Sequence, residues 1–196
     1  NYERFYDRAI EKLKGLPVEK STFCPLPFVH VSTMPHGEVK LCCRAQPPHN
    51  DRNPYVTDPD FNLEDYWKSE YMNNIRDDLI LGNKVKQCQN CWKMEDNDIV
   101  SLRMNRITDL MDNEIYRENI ENYLKHREVD FKIPLIELKL SNVCNFKCRM
   151  CWPKDSSKWM QDWDKVKKFY SEGDQNYIEE IVDKNELRKT RVMNLY

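Results

Sequence analysis

The segment SNVCNFKCRMC, residues 141–151, follows a strand-like run, LIELKL, at 135–140. Its cysteines, Cys144, Cys148 and Cys151, have the spacing C-x3-C-x2-C. Three thiolates on one short loop can bind three irons of a cubane iron–sulfur cluster and leave the fourth iron without a protein ligand. Because a metal with a vacant coordination position is reactive, this loop is a candidate site for chemistry. The alternative is a zinc site that takes a fourth ligand from elsewhere, but zinc sites prefer paired C-x2-C units and the spacing therefore favours a cluster.

The same three cysteines resemble the signature of the radical S-adenosylmethionine (SAM) enzymes, which place C-x3-C-x2-C after the first strand of a parallel α/β barrel. The resemblance implies a 4Fe–4S cluster whose open iron is chelated by the amino and carboxylate groups of SAM. It further implies that one electron from the reduced cluster cleaves SAM to a 5′-deoxyadenosyl radical. The residue before the third cysteine, often aromatic in that family and near the adenine, is Met150 here. A polarizable thioether can pack on adenine, so Met150 is a candidate cofactor contact.

Composition and charge give no support for several classes of partner. The chain has 196 residues, of which 33% are charged, and its formal net charge is −2. No block of like charge stands out, which gives no support for binding to nucleic acid or to an anionic membrane. No apolar run is long enough for a membrane span. Eight cysteines with no secretory pattern favour metal or cluster ligands in a reducing cytosol over disulfides, so we expect a cytoplasmic protein.

The N-terminal part begins with a predicted helix and a predicted β-hairpin. Apolar spacing over 2–14 predicts a helix, and alternation over 28–33 and 38–43 predicts the two hairpin strands. Alternation puts Cys42 and Cys43 on opposite faces, so we expect only one of them to be a ligand. The hairpin histidines, His30 and His36, are expected to be structural or solvated.

Local signals also mark the next helix. Residues 46–59 are rich in proline, asparagine and aspartate and are predicted to form a loop. Ser69 is expected to cap a helix that ends at Gly82, as Gly15 is expected to end the first one. Apolar residues in this helix are expected to be core.

A second cysteine pattern, C-x12-G-x4-C…C-x2-C, begins at Cys24. Alone, its C-x2-C pair suggests zinc, a cluster or a redox site. The whole pattern resembles the twitch domain, the shortened form of the SPASM domain of radical SAM proteins, which holds one auxiliary 4Fe–4S cluster. The resemblance implies that Cys24, Cys42, Cys88 and Cys91 are its ligands and that Cys43 is a small buried thiol.

The auxiliary pattern precedes the barrel signature here, whereas it commonly follows it. A full SPASM pattern would need another cysteine at the position of Asn97, so the twitch form fits better. The chain resembles a group of twitch-domain radical SAM proteins that have the auxiliary module first. The matching residues are Phe23-Cys24-Pro25-Leu26-Pro27-Phe28-Val29-His30, Tyr71-Met72, Ile75-Arg76, Cys91-Trp92, Glu95, Ser101, Arg103 and Ser156-Ser157-Lys158-Trp159.

Between the two patterns, apolar spacing over 105–126 predicts one polar helix that connects the modules. Its charged side is expected to be solvated. The arginines around it, Arg103, Arg106 and Arg127, could reach an acidic substrate but are expected to lie at the surface.

After the cysteine loop, Ser156 is expected to cap a helix with an apolar stripe that ends at Gly173. A second helix is predicted over about 176–189. A complete radical SAM barrel has several more strand–helix units and a Gly-Gly-Glu-like motif, but none of the four glycines here is adjacent to another. We therefore expect a truncated chain with an incomplete SAM pocket that does not turn over by itself.

Together these patterns predict an α+β auxiliary cluster domain followed by the first β/α units of an incomplete radical SAM α/β barrel, of the partial TIM type. The expected boundaries are 1–104 for the auxiliary domain, 105–132 for a helical connector and 133–196 for the barrel start. The resemblance implies a radical SAM oxidoreductase or modifying enzyme with a peptide or small-molecule substrate and an electron donor such as flavodoxin or ferredoxin. The alternatives are a non-catalytic binding module stabilised by zinc or an iron–sulfur cluster, and a ferredoxin-like electron carrier.

Overall fold

The computed structural model describes residues 2–46, 54–56, 58–139, 141–151, 153 and 155–180. The α-helices are α1 (Tyr2–Lys12), α2 (Leu26–Val29), α3 (Leu63–Lys68), α4 (Glu70–Leu81), α5 (Gln89–Glu95), α6 (Leu102–Leu110), α7 (Glu114–His126) and α8 (Trp163–Val166). A further helix, α9, covers 172–180. Short 3-10 helices lie at Lys86–Cys88, Ser157–Asp162 and Lys167–Phe169, and the strands are β1 (His30–Thr33), β2 (Val39–Lys40) and β3 (Leu135–Glu137).

The described residues form two compact units. The first is drawn from 1–32, 40–53 and 62–137, and the second from 33–39, 54–61 and 138–196. Helices α6 and α7, which cover most of the predicted connector, belong to the first unit. The sheet has the strand order β2-β1-β3, and β1 and β3 are parallel, with His30 opposite Leu135 and Ser32 opposite Glu137.

The core of the first unit is built around aromatic side chains from α2 and α7. The ring of Phe28 stacks on Phe23 at a centroid distance of 5.7 Å and meets Tyr123 edge-on at 5.3 Å. Arg76 of α4 is fully buried beside them and donates hydrogen bonds to the carbonyl oxygens of Pro27 and Trp67 at 2.8 and 2.9 Å. This arginine therefore ties α2, α3 and α4 together through backbone acceptors that would otherwise be buried without partners.

Several local predictions are confirmed. Helix α1 matches the predicted 2–14 segment, and Gly15 adopts a φ of +84° just after it. The Ser69 hydroxyl accepts a hydrogen bond from the Met72 amide at the start of α4, and Gly82 ends that helix in the left-handed conformation with φ +99°.

The N-terminal strand of the hairpin is shorter than predicted. Residues 26–29 form the helical turn α2 because Pro27 lies in its first turn, where proline is tolerated and its fixed φ favours helix. The prediction that the strand begins at Phe28 is therefore wrong, and the strand begins at His30.

The single helix predicted over 105–126 is also wrong, because two helices cover this segment. Helix α6 ends at Leu110, and Asn113 then starts α7 by accepting a hydrogen bond from the Ile115 amide at 3.0 Å. An asparagine side chain that caps a new helix competes with continuation of the old one. After this break the side chain of Ile115, in the first turn of α7, is exposed.

The helix predicted after Ser156 is replaced by 3-10 turns around the short α8. The Ser156 hydroxyl does not cap it and instead donates a hydrogen bond to the carbonyl oxygen of Phe146 at 2.8 Å. Gly173 lies inside α9, whose start is marked by Ser171, the acceptor for the Asp174 amide at 3.2 Å. The rest of the predicted helix, 181–189, lies outside the described residues.

The described part of the chain contains no helix with both the length and the apolar character that a membrane crossing requires. This finding agrees with the absence of a long apolar run in the sequence. None of the eight cysteines, all of which are described, forms a disulfide.

Candidate metal centres

Four cysteines far apart in sequence line one pocket of the first unit. They are Cys24 before α2, Cys42 after β2, Cys88 at the end of a 3-10 helix and Cys91 in α5. We call this the thiol pocket; its remaining lining residues are Leu26, Leu41, Arg44, Ala45, Leu102 and Arg103. Cys24, Cys42 and Cys91 are buried and Cys88 is half-buried.

Cys43 does not share this position. It lines a neighbouring pocket of about 260 Å³ together with His30, Arg106 and Glu137, and Cys42 reaches both pockets. Strand β2 ends at Lys40, so the alternation expected through Cys43 does not extend that far. The structure nevertheless separates the two thiols, and Cys42 is the one beside Cys24, Cys88 and Cys91.

Hydrogen bonds hold the segment after Cys42 against the C-x2-C segment. The Gln46 amide donates to the carbonyl oxygen of Gln87 at 2.8 Å, and the Asn90 side chain donates to the carbonyl oxygen of Arg44 at 3.0 Å. The buried indole of Trp92 donates to the carbonyl oxygen of Val85 at 2.8 Å. These hydrogen bonds bring the segment that carries Cys42 next to the segment that carries Cys88 and Cys91.

Burial and mutual proximity raise the pKa values of Cys24, Cys42 and Cys88, which keeps these three thiols protonated. Burial raises the pKa of Cys42 to about 12, with Cys43 and Cys91 adding to the increase and amide hydrogen bonds opposing it. Burial also raises the pKa values of Cys24 and Cys88, and Cys42 is a neighbour that raises both. Metal binding at this pocket must therefore displace protons, because the thiolate is the ligand form.

The donor set fits both centres that the sequence suggested. Four cysteines are the ligands of a closed 4Fe–4S cluster and also of a structural zinc ion. The cavity between the side chains has a volume of about 10 Å³, room for one water molecule. Among the described residues, no group of three or more His, Cys, Asp or Glu side chains is gathered closely enough to hold a single metal ion. A cluster or an ion would therefore require the thiol side chains to turn from their present positions.

The C-x3-C-x2-C segment forms a separate loop in the second unit. We call residues 141–151 the triple-cysteine loop. Cys144 and Cys151 are half-buried and Cys148 is exposed. Partial burial raises the pKa of Cys151, and Cys148, Asp155 and Cys144 contribute to the same increase. The Cys151 amide donates to the carbonyl oxygen of Cys148 at 3.0 Å, which folds the C-x2-C end of the loop into a turn.

The following segment holds the backbone of this loop. The Cys144 amide donates to the hydroxyl of Ser157 at 3.3 Å, and the indole of Trp159 donates to the carbonyl oxygen of Cys148 at 3.3 Å. Within the loop the Phe146 amide donates to the sulfur of Cys144 at 3.4 Å. An amide that donates to a cysteine sulfur is one of the contacts that adjust the potential of iron–sulfur centres.

The predicted cofactor contact, Met150, is 92% exposed, and Val143 and Phe146 of the same loop are exposed as well. The triple-cysteine loop therefore exposes several apolar side chains. A role for Met150 against adenine remains a prediction.

The two hairpin histidines are held by hydrogen bonds. Nδ1 of His30 lies 3.1 Å from the carbonyl oxygen of Leu41, and because a carbonyl can only accept, this nitrogen carries the hydrogen. His36 is buried in the second unit, with Nε2 at 3.2 Å from the Glu38 carboxylate. Both geometries fit structural roles.

The sequence-based expectation for Arg103 is wrong. This residue is only 2% exposed and lines the thiol pocket. Its guanidinium binds Glu95, which also accepts a hydrogen bond from the hydroxyl of Ser101. The spacing of Glu95, Ser101 and Arg103 along the chain does not show that the three side chains meet, because Glu95 lies on α5 and Arg103 on α6.

No protein-family model, no curated protein and no solved structure matches this chain.

Proposed function

We propose that this chain carries the two cluster-binding regions of a radical SAM enzyme. In this proposal Cys144, Cys148 and Cys151 hold the SAM-binding 4Fe–4S cluster, and the cysteines of the thiol pocket hold an auxiliary one. The observation that carries the proposal is that Cys24, Cys42, Cys88 and Cys91 line a single pocket although they are spread over three segments of the chain. Convergence of four thiols is a stronger argument for a common ligand than spacing alone, because buried thiols gain little from one another without a metal.

The triple-cysteine loop supplies the other support. When bound, a cluster with one open iron supplies the electron that cleaves SAM to a 5′-deoxyadenosyl radical. The chain's own contribution is to present three thiolates on one loop, whose backbone is fixed by hydrogen bonds involving Ser156, Ser157 and Trp159. Such fixed positioning is what a protein adds to cofactor chemistry.

The thiol pocket has a different role in this proposal. Four protein ligands leave no vacant position, so an auxiliary cluster there would transfer electrons or organise the structure rather than coordinate substrate. The burial of Cys24, Cys42 and Cys91 supports such a closed centre.

We place the protein in a reducing cytosol, where thiols stay available as ligands. Its partners would be an electron donor such as flavodoxin or ferredoxin and a peptide or small-molecule substrate. These assignments rest on the resemblance of the cysteine patterns.

The test is electron paramagnetic resonance of anaerobically reconstituted, dithionite-reduced protein with and without SAM. We expect iron–sulfur signals, of which the one lost in Cys148→Ala changes when SAM is added. Signals without any response to SAM would agree with the incomplete SAM pocket expected from the sequence and would restrict the proposal to cluster binding. Absence of any iron–sulfur signal after reconstitution would overturn the whole proposal.

The donor set supports a second candidate, a zinc-stabilised binding module without catalysis. Cys24, Cys42, Cys88 and Cys91 line one pocket, and four cysteines are also the ligand set of a structural zinc ion. Metal analysis distinguishes the zinc module from the radical SAM enzyme. The zinc module requires one zinc and no iron per chain, even after reconstitution with iron and sulfide.

A further inference from the structure

We propose that Arg103 and Glu95 form a fixed charge pair that sets the reduction potential of a cluster in the thiol pocket, with Arg103 favouring the reduced state and Glu95 the oxidised state. This inference rests on the proposed function, because it requires a cluster at that pocket. It assigns to two residues beside the candidate ligands a role that is electrostatic and does not involve binding the metal.

The position of Arg103 supports this role. It is the second residue of α6, it lines the thiol pocket, and it is 2% exposed. Its Nη1 donates to the carbonyl oxygen of Phe23, the residue directly before Cys24, at 2.9 Å. The guanidinium therefore lies beside the backbone that carries one of the four candidate ligands.

Glu95 holds the guanidinium from the other side. Nε of Arg103 donates to Oε1 of Glu95 at 2.9 Å, and Nη2 donates to Oε2, which makes a bidentate pair. Glu95 follows Cys91 by four residues on α5, so the two side chains project from the same side of that helix. Both members of the pair are thus attached to segments that carry candidate ligands.

Further contacts restrain the pair. The Ser101 hydroxyl donates to Oε1 of Glu95 and also accepts from the Met104 amide at 3.2 Å, which places it at the N-terminus of α6. The guanidinium carbon lies 5.3 Å from the centre of the Trp92 ring. With so many partners, the arginine has little freedom to turn away when the charge of the pocket changes.

Arg103 is charged in the folded protein. Burial alone would lower the pKa of Arg103, but the hydrogen bond and charge of Glu95 raise it above its ordinary value. A charge that is fixed in a poorly solvated place acts over several ångströms with little screening.

Reduction of a 4Fe–4S cluster by one electron adds one negative charge to the pocket. A fixed neighbouring cation stabilises that added charge and raises the potential, whereas a neighbouring anion lowers it. Removal of Arg103 and removal of the Glu95 charge should therefore have opposite effects. Structural damage alone has no reason to give opposite signs.

The chain offers a matched control in Arg76. This arginine is also fully buried in the first unit, but its guanidinium donates to the carbonyl oxygens of Pro27 and Trp67 and lies 4.7 Å from the Trp67 ring. It lies among α2, α3 and α4 and has no carboxylate in those contacts. Arg76→Gln thus removes an equally buried cation from another place.

The experiment is an anaerobic potentiometric titration, monitored by electron paramagnetic resonance, of the full chain carrying Cys148→Ala so that only the auxiliary signal remains. Dithionite supplies the electron. Relative to this parent, we expect Arg103→Gln to lower the reduced-to-oxidised ratio at a fixed potential about tenfold, equivalent to a midpoint shift of about 59 mV. Glu95→Gln, which keeps the side-chain shape, should raise that ratio, and Arg76→Gln should leave it unchanged.

Two further comparisons of midpoint potentials, one with Arg103→Lys and one with Glu95→Gln, test the proposal. If Arg103→Gln does not fold, Arg103→Lys should keep the parent potential because it keeps the charge, and Glu95→Gln alone must still shift the potential upward. The inference is overturned if the midpoint potential of Glu95→Gln equals that of the parent. It is also overturned if Arg103→Gln and Glu95→Gln shift the potential in the same direction. In both cases the assignment of a cluster to the thiol pocket stands. A parent that binds no iron would overturn the proposed function, and this inference with it.

Discussion

The indole nitrogen of Trp92 donates a hydrogen bond to the carbonyl oxygen of Val85 at 2.8 Å, and Cys88 and Cys91 lie on the segment that this bond closes. Trp92 is 6% exposed and Val85 is 5% exposed, so water does not replace either partner. The bond therefore fixes the two cysteines of the C-x2-C unit in a compact arrangement.

Trp92→Phe should destabilise the protein because it removes a buried hydrogen bond and leaves the carbonyl of Val85 with only the Cys88 amide, at 3.0 Å, as a donor. A hydrogen bond contributes about 0.5–1.5 kcal/mol, and we expect a loss of that size in the free energy of unfolding from urea titration. Trp159→Phe is the matched control, since that indole donates to a carbonyl in an exposed setting at 3.3 Å. It should cost less than about 0.5 kcal/mol; equal losses in the two variants would contradict the role given to the Trp92 bond.

Gly82 should be intolerant of a side chain. Its φ is +99°, and an added Cβ would lie 3.1 Å from Cγ of Glu19. The left-handed conformation costs an L-residue about 1–2 kcal/mol, so Gly82→Ala should lower the free energy of unfolding by at least that amount. Gly173→Ala, where the nearest atom is 4.0 Å from the added Cβ, should instead stabilise by about 0.5 kcal/mol or more. Thermal unfolding of both variants gives the comparison, and a neutral Gly82→Ala would be the contrary result.

Local signals predicted what depends on a few neighbouring residues. Ser69 and Gly82 mark the ends of α4 in the sequence as in the structure, because a cap and a left-handed stop act within one turn. The break between α6 and α7 was missed because Asn113, one asparagine in a polar helical pattern, decides it. Arg103 was placed at the surface because its partner Glu95 lies on another helix, and helical spacing does not show contacts between helices.

At the candidate sites, too, some features follow from the sequence pattern and others depend on tertiary packing. The resemblance implied that Cys24, Cys42, Cys88 and Cys91 share a ligand. The structure has these four on one pocket, and their role as ligands stays a prediction. The surroundings of the thiols depend on tertiary packing. The narrowness of the cavity and the charge pair beside it could not be predicted from spacing.

His30 should make stability depend on pH. Burial lowers the pKa of His30; Arg106 adds to the decrease, and the hydrogen bond to Leu41 and the Glu137 carboxylate, 3.9 Å from Nε2, oppose it. The unfolded chain protonates this histidine near pH 6.5, before the folded protein does. Between the two pKa values the unfolded state binds more protons than the folded state. The free energy of unfolding therefore has its full value above about pH 6.5 and falls as the pH drops below it.

His30→Asn tests this dependence, because the asparagine amide can still donate to the carbonyl of Leu41. We expect this variant to lose a slope of up to about 1.4 kcal/mol per pH unit below pH 6.5, measured by urea titrations at several pH values. Replacement of the exposed His126 in the last turn of α7 is the control and should leave the slope in place. An unchanged slope in His30→Asn would rule out burial of this histidine as the cause.

Cys42 and Cys43 provide the sharpest pair of variants at the thiol pocket. Cys42 lines the pocket and Cys43 lines the neighbouring one. In the Cys148→Ala background we expect Cys43→Ser to keep about four irons per chain and Cys42→Ser to bind fewer and lose the auxiliary signal. Iron loss in Cys43→Ser with retention in Cys42→Ser would reverse the assignment of the ligand.

The most direct measurement is the iron, sulfide and zinc content of the anaerobically reconstituted chain, compared with that of Cys148→Ala. We expect about eight irons and eight sulfides for the parent and about four of each for the variant, because two separate 4Fe–4S sites lose iron independently. Loss of all iron in Cys148→Ala would contradict two independent sites, and one zinc with no iron in the parent would contradict the cluster assignment altogether.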